Sequence, residues 1–86
     1  MGKTLIIFKI KCIDMELLDE TVKAVRELEK GEVKDVQKVP IGFGISEIKI
    51  AVLIPEKQDH VLAEVETELR KIPNIEEIEV EAMTLL

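Results

Sequence analysis

The residues best suited to a binding function in this sequence form one short segment, Pro40-Ile41-Gly42-Phe43-Gly44-Ile45. An aromatic side chain between two glycines, in a connection between strands, is poorly placed for a core. Glycine leaves the backbone free to turn sharply, so Phe43 can project from a narrow tip and enter a pocket on another molecule. Truncating such an anchor often costs about 2 kcal/mol or more of binding free energy. Alternatively, Phe43 folds back over the sheet and the glycines only make the turn; the residues leave both arrangements open.

Groups for covalent catalysis are scarce elsewhere. The sequence has no Ser-His-Asp constellation and no HExxH, CxxC or P-loop pattern. We expect His60 to be a solvated surface residue and Cys12 to be a small core residue rather than a nucleophile. Glu76, Glu77, Glu79 and Glu81 could attract a divalent ion, but only alternate residues of a strand share a side, which is unfavourable for a metal site. We therefore expect neither enzymatic catalysis nor a bound metal or cofactor.

Length and charge limit the remaining functions. The 86 residues predict a single domain, 1–86, and 47% hydrophobic residues argue against disorder. A net charge of −6, from 12 basic and 18 acidic residues, argues against nucleic acid as the main partner. There is no apolar run of membrane-spanning length, no signal-peptide pattern and only one cysteine. These features favour a cytoplasmic location.

The first half of the chain contains one clear strand and one clear helix. Lys3 to Cys12 alternates with period 2, with apolar residues at most even positions, and predicts a strand. Asp14 is then suited to cap a helix of about four turns that ends at Gly31. The apolar stripe of this helix is Leu17, Leu18, Val22, Val25 and Leu28.

The second half predicts three more strands and a second helix. Val33 to Val39 is a charged edge strand, interrupted by the segment 40–44, and Ile45 to Ile54 alternates as a buried strand. Asp59 caps the next helix, which Pro73 prevents from extending. Its apolar stripe is Val61, Leu62, Val65, Leu69 and Ile72. The last strand runs from Ile75 to Thr84, with Ile78, Val80 and Ala82 facing inward.

The resulting order is β-α-β-β-α-β. Two right-handed crossovers joined by a hairpin predict an α+β fold of the ferredoxin-like kind, a four-stranded antiparallel sheet with two helices on one face. The first strand then lies between the third and the fourth. Lys9 and Lys11 would face the row Glu77, Glu79 and Glu81 on the water side, where cross-strand pairs contribute about 0.2–1 kcal/mol each. Exposed leucines and isoleucines, Leu5, Ile7, Leu85 and Leu86, leave self-association open.

The chain resembles the elongation factor 1 beta family of nucleotide-exchange factors in its short archaeal form. The resemblance follows element order over essentially all 86 residues. It is sharpest from Pro40 to Leu53, where P-I-G-F-G-I-x-x-I-K-I-x-V-L is similar to the signature loop and following strand of the family. It recurs in Val80-Glu81-Ala82-Met83, just before the C-terminus.

This resemblance implies a partner, the GTPase elongation factor 1 alpha, and a mechanism in which the factor binds a conformation of the GTPase that holds GDP loosely. In eukaryotic relatives a loop aromatic, matched here by Phe43, enters a pocket of the GTPase, and a penultimate lysine reaches toward the magnesium and phosphate site. The penultimate residue here is Leu85, so that contact does not carry over. The partner-binding residues implied by the resemblance are Pro40, Ile41, Gly42, Phe43, Gly44, Met83, Leu85 and Leu86.

Three other functions use the same architecture. The main alternative, a small-molecule-sensing module of the ACT type, usually has a glycine-rich turn after the first strand, whereas this chain has Cys12-Ile13-Asp14. An RNA-binding sheet of the RRM kind needs exposed aromatics on its central strands. The positions concerned here are Lys9, Lys11, Glu47 and Lys49. An acylphosphatase-like enzyme needs an arginine early in the chain, and the first one here is Arg26.

Overall fold

The structure is a computed structural model that describes residues 2–29, 31–55 and 59–86. Within these residues lie four strands and two α-helices: β1 Lys3–Cys12, α1 Leu18–Arg26, β2 Glu32–Gly42, β3 Ile45–Pro55, α2 Asp59–Arg70 and β4 Ile75–Leu85. A short 3-10 helix, Met15–Leu17, precedes α1. The strands form one antiparallel sheet in the order β2-β3-β1-β4. The predicted ferredoxin-like fold is confirmed, including the position of β1 between β3 and β4.

The core lies between one face of the sheet and the two helices. Alternate residues of β1, among them Ile6, Phe8 and Ile10, are fully buried and belong to one cluster with Val25 of α1 and Val65 of α2. Burying an apolar side chain of this size contributes about 1.5–3 kcal/mol. The apolar residues that recur with period 2 in the strands and with period 3.6 in the helices therefore pack together in one layer. The opposite face of the sheet has no helix against it within the described residues.

The first helical segment differs from the prediction in length. Asp14 caps it as expected, with its Oδ1 accepting from the Glu16 N–H at 2.9 Å, but the first turn is 3-10 and α1 ends at Arg26. Because the 3-10 turn rotates its side chains differently, Leu17 is exposed rather than part of the buried stripe. The segment is therefore shorter than the four turns predicted. The capping role predicted for Asp59 concerns a side chain outside the described part of the chain.

Gly31 has a positive φ and lies close to packed side chains. Its φ is +74°, and a Cβ built at this position would lie 2.8 Å from Val52 Cγ1 and 3.2 Å from Val65 Cγ2. The backbone therefore passes close to both the sheet and α2, in a conformation that residues with a side chain rarely adopt. Glycine is required here on both grounds.

Strand β4 contains an irregularity that reverses the faces of its last residues. Phe8 is opposite Val80, but Ile7 is opposite Ala82, so Glu81 is an extra residue in β4. The prediction that Ala82 faces the helices is wrong, because the bulge turns it to the same side as Ile7, which is the open face. Beyond the bulge, Met83 is opposite the buried Ile6.

The open face carries cross-strand ion pairs. Lys11 is opposite Glu77, with Nζ 3.7 Å from Oε2, and Lys9 is opposite Glu79, as predicted. The ion pair of Lys9, however, is with Glu47 of β3, at 3.8 Å. Lys49 pairs with Glu81 at 3.2 Å. Most of these groups are solvated, and each such pair contributes at most about 1 kcal/mol.

Asn74 joins two turns that are far apart in sequence. Its side-chain Oδ1 accepts from the Asp14 N–H at 2.6 Å, while Nδ2 donates to the Asp14 carbonyl at 2.8 Å and to Thr21 Oγ1 at 3.1 Å. The Ile13 N–H also donates to the Asn74 carbonyl. The φ of Asn74 is +74°, in the left-handed region that asparagine tolerates better than most residues. This one side chain therefore ties the start of β4 to the turn after β1.

We expect Asn74→Ala to lower the free energy of unfolding by about 2–3 kcal/mol, because three hydrogen bonds are lost and alanine is strained at this φ. The melting temperature should fall by about 10–20 °C. Asn74→Gly loses the same hydrogen bonds without the strain. Its melting temperature, followed by circular dichroism, should therefore lie between those of the unmutated protein and Asn74→Ala. Equal melting temperatures for all three proteins would contradict this role.

Candidate protein-binding site

The β2–β3 hairpin ends in a two-residue turn, Phe43-Gly44. Gly42 is paired with Ile45, and the φ angles of Phe43 and Gly44 are 55° and 73°. Two consecutive positive φ angles are what a type I′ hairpin turn requires. Strand pairing therefore continues to Gly42, further than the sequence predicts, with Ile41 as an extra residue between Pro40 and Gly42.

Phe43 projects from this turn into solvent. Its relative exposure is 102%, so the ring has no protein surface covering it. Of the two arrangements that the sequence left open, the structure has the outward one. The tip therefore presents the complete apolar surface of an aromatic ring.

The backbone of Phe43 is also strained. A residue with a side chain in the left-handed region costs about 1–2 kcal/mol, and bulky residues are rare there. Folding stability alone favours neither this conformation nor an exposed ring. An exposed aromatic on a strained turn is a feature that is typically retained for binding.

Three isoleucines lie at the same end of the sheet as the turn. Ile41 and Ile45 flank the turn, and Ile13, which follows β1, lines the same groove as both of them. All three are exposed. We call Ile13, Ile41, Phe43 and Ile45 the hairpin cluster. Sequence reasoning included Ile45 in the binding segment but missed Ile13, for which an apolar residue directly before the capping Asp14 was the available signal.

Two contacts hold the hairpin against the first helical segment. The Ser46 N–H lies 3.2 Å from Met15 Sδ, and Lys38 Nζ pairs with Asp19 Oδ1 at 2.6 Å. Both connect the hairpin to residues just after β1. The cluster is therefore carried on a supported part of the sheet.

The other predicted binding residues lie at the opposite end of the sheet. Met83, Leu85 and Leu86 are exposed, and Leu85 is opposite Thr4 near the start of β1. The Leu86 N–H donates to the Lys3 carbonyl at 2.9 Å, which extends the pairing to the last residue. The structure thus ties the last residue of the sequence to the start of β1.

The predicted binding residues consequently form two groups rather than one site. The hairpin lies beside the end of β1, where Ile10 is opposite Ile48, and the C-terminal group lies beside its beginning. A strand rises about 3.3 Å per residue, so the length of β1 separates the groups by roughly 30 Å. A single partner must be large enough to reach both.

Groups suited to covalent chemistry are poorly placed. Cys12 is a buried free thiol, and burial raises its pKa, which lowers the fraction of nucleophilic thiolate. His60 is exposed, as expected. Across residues 2–29, 31–55 and 59–86, no group of three or more His, Cys, Asp or Glu side chains is arranged to hold a metal ion. No helix in these ranges is long and apolar enough to span a bilayer.

Comparison with solved structures supports the fold. The crystal structure of PH0061 superposes with a TM-score of 0.68 over 99% of this chain, at 22% sequence identity. This chain spans about half of that protein, 52% of its length. At this level of identity the similarity concerns the fold alone.

Comparison with known sequences supports the family. A protein of Methanoculleus marisnigri named elongation factor 1-beta is 37% identical over 90 residues, covering all of both chains. The elongation factor 1-beta of Hyperthermus butylicus is 33% identical and covers 96% of this chain and 94% of its own length. The family model described as EF-1 guanine nucleotide exchange domain matches residues 6–86. The chain therefore belongs to the family of EF-1 guanine nucleotide exchange domains.

Proposed function

We propose that this protein promotes the release of GDP from elongation factor 1 alpha and its replacement by GTP during translation. The observation that carries the proposal is the fully exposed ring of Phe43 on a strained two-residue turn. It gives a domain of an exchange family a projecting group with which to enter a pocket on the GTPase. Because elongation takes place in the cytoplasm, the proposal places the protein there.

The proposed mechanism is binding without covalent chemistry. An exchange factor shifts a GTPase toward a state with weak GDP affinity only if it binds that state more tightly than the other. The coupling is reciprocal: the factor weakens GDP binding by the same ratio as GDP weakens binding of the factor. A hundredfold effect corresponds to about 2.7 kcal/mol. An aromatic side chain buries about 150–250 Å² when it enters a pocket, which is enough to supply such a difference.

The partner-binding surface in this proposal has a principal and a secondary part. The principal part is the turn and its approach, Pro40 to Gly44, because the ring lies there. The secondary part is the C-terminal group, Met83, Leu85 and Leu86, which offers exposed apolar side chains about one strand length away. Nothing in this scheme requires a cofactor or a metal bound by the protein itself.

The direct test is release of fluorescent GDP from elongation factor 1 alpha of the same organism. We expect this protein to accelerate release when excess GTP is present, in proportion to its concentration until the GTPase is saturated. An unrelated acidic protein of similar size, added at the same concentration, serves as the control. Release at the spontaneous rate in the presence of the unmutated protein would remove the proposal.

A second variant tests the C-terminal group. Leu85→Lys places a cation where eukaryotic relatives have one, and a cation near the magnesium and phosphate site would weaken nucleotide binding. Because Leu85 is well exposed, the fold should tolerate the change. We expect the rate of GDP release to rise or to stay the same. Leu86→Lys, at a similarly exposed neighbouring position, is the control for position, and a sharp loss with Leu85→Lys would mean that Leu85 itself packs into the partner.

A further inference from the structure

A groove runs beside the β2–β3 hairpin, at the end of the sheet where β1 ends. Its volume is about 340 Å³, and four of its lining residues are apolar: Ile13, Met15, Ile41 and Ile45. A second, smaller groove also has Ile41 in its lining. Glu47 lines both of them. The larger one, here called the hairpin groove, therefore combines apolar walls with a carboxylate.

Glu47 is unusual among the acidic residues of the open face because it is buried. Its relative exposure is 8%, and its ion pair with Lys9 spans 3.8 Å, too long for a hydrogen bond. Within the described part of the chain, its carboxylate accepts no hydrogen bond. An ionised carboxylate has about four acceptor positions, and because no buried side-chain oxygen of the described residues lacks a partner, the oxygens of Glu47 still reach solvent. Glu47 thus retains the capacity to accept from a donor that enters the groove.

The surrounding charges favour a cationic donor. Glu76 adds a second carboxylate to the groove, and the cation on its lining, Lys11, is within ion-pair distance of Glu77. Lys9, the ion-pair partner of Glu47, and Lys49, which pairs with Glu81, line the second groove instead. The whole chain carries a net charge of −6. A basic side chain entering the groove would therefore meet a complementary potential as well as a hydrogen-bond acceptor.

We propose that the hairpin groove receives an arginine side chain from the protein that binds Phe43. The aliphatic stem of the arginine would pack between Ile13 and Ile41, and its guanidinium would donate to Glu47. Arginine fits better than lysine because its planar guanidinium is less strongly hydrated and donates two parallel hydrogen bonds to a carboxylate. The identity of the partner rests on the proposed function, whereas the preference of the groove for a guanidinium does not.

The preference is tested without the GTPase, by NMR titration of the ¹⁵N-labelled protein with N-acetyl-arginine methylamide. We expect shifts of the amide signals of Ile41, Ser46 and Glu47, with a dissociation constant on the order of millimolar, as for a single side chain. The citrulline analogue is a neutral matched probe and should bind several-fold more weakly. Glu47→Gln should abolish this difference. Equal responses to both probes, or no response at these amides, would overturn the inference.

The contribution to partner binding is tested by exchange kinetics with Glu47→Gln and Glu47→Lys. We expect the concentration of factor required for half-maximal GDP release to rise about tenfold for Glu47→Gln and further for Glu47→Lys, since like charges then meet. Glu79→Gln, an acidic residue of the same face that does not line the groove, is the matched control. If the unmutated protein accelerates release and Glu47→Gln behaves like Glu79→Gln, the inference about the groove is contradicted and the proposed function stands. If the unmutated protein is inactive, the proposed function fails, and the NMR titration still decides the chemistry of the groove.

Discussion

Phe43→Ala is expected to remove most of the acceleration of GDP release, with the apparent affinity for elongation factor 1 alpha falling about 30-fold or more. Truncating an aromatic anchor often costs about 2 kcal/mol or more, and each 1.4 kcal/mol corresponds to about tenfold in affinity. The ring is fully exposed in the free protein, so its loss removes no intramolecular packing. The measurement is release of fluorescent GDP over a range of factor concentrations.

Stability provides the control for this variant. Phe43→Gly removes the same ring and also relieves the positive φ, so we expect the free energy of unfolding to rise by about 1 kcal/mol while exchange is lost. Phe43→Tyr keeps the ring and should retain most of the activity. Full exchange by both Phe43→Ala and Phe43→Gly would mean that the ring is not the principal contact.

Gly31→Ala is expected to cause the largest loss of stability of the variants considered, about 2–5 kcal/mol. Alanine at a φ of +74° is strained, and its Cβ would lie 2.8 Å from Val52 Cγ1. The backbone term is about 1–2 kcal/mol, and forcing an extra methyl group into a packed core adds about 1–3 kcal/mol. A domain of this size has a total stability of roughly 4–13 kcal/mol, so much of the margin would be lost. Denaturation with urea measures the difference.

Gly44→Ala separates the two contributions to this effect. Gly44 has nearly the same φ, +73°, but a Cβ there would have no atom within 4 Å. We expect a loss of about 1–2 kcal/mol, due to the backbone alone. The excess for Gly31→Ala then measures the crowding against Val52 and Val65. Equal losses at the two positions would show that the core around Gly31 relaxes without cost.

Much of the fold could be predicted because its elements have distinct periods. The even residues of β1 and the stripe of α2 select one buried face each, and both predictions are confirmed. The reversal in β4 could not be seen in the same way. Val80, Ala82 and Met83 around Glu81 are all apolar, so the sequence fits an inward Ala82 as well as an inward Met83, and the pairing with β1 decides between them.

Other features depend on contacts that a local pattern does not contain. Asn74 and Asp14 are 60 residues apart, and only the assembled fold brings their two turns together. The exposure of Leu17 follows from a 3-10 turn whose sequence also suits an α-helix. Glu47 is buried on an otherwise solvated face, beside grooves that it lines together with Ile41, the extra residue in β2.

The position of the Phe43 ring is a similar case. The two glycines are needed whether the ring projects or folds back, so the residue types do not decide. The structure does, because pairing of Gly42 with Ile45 leaves only Phe43 and Gly44 in the loop. A loop this short has no spare backbone with which to return the ring to the sheet. The division of the predicted binding residues into two groups also follows from the strand directions, once the pairing is known.

The pairing of β1 with a strand on each side along nearly its whole length has a mechanical consequence. The sheet is therefore stiff along its strands. The two surfaces at its ends cannot approach or separate without breaking many backbone hydrogen bonds at once. A partner that contacts both ends must therefore present its two contact regions at one fixed distance from each other. If its own two contact regions change their spacing between functional states, this protein fits one spacing and rejects the other.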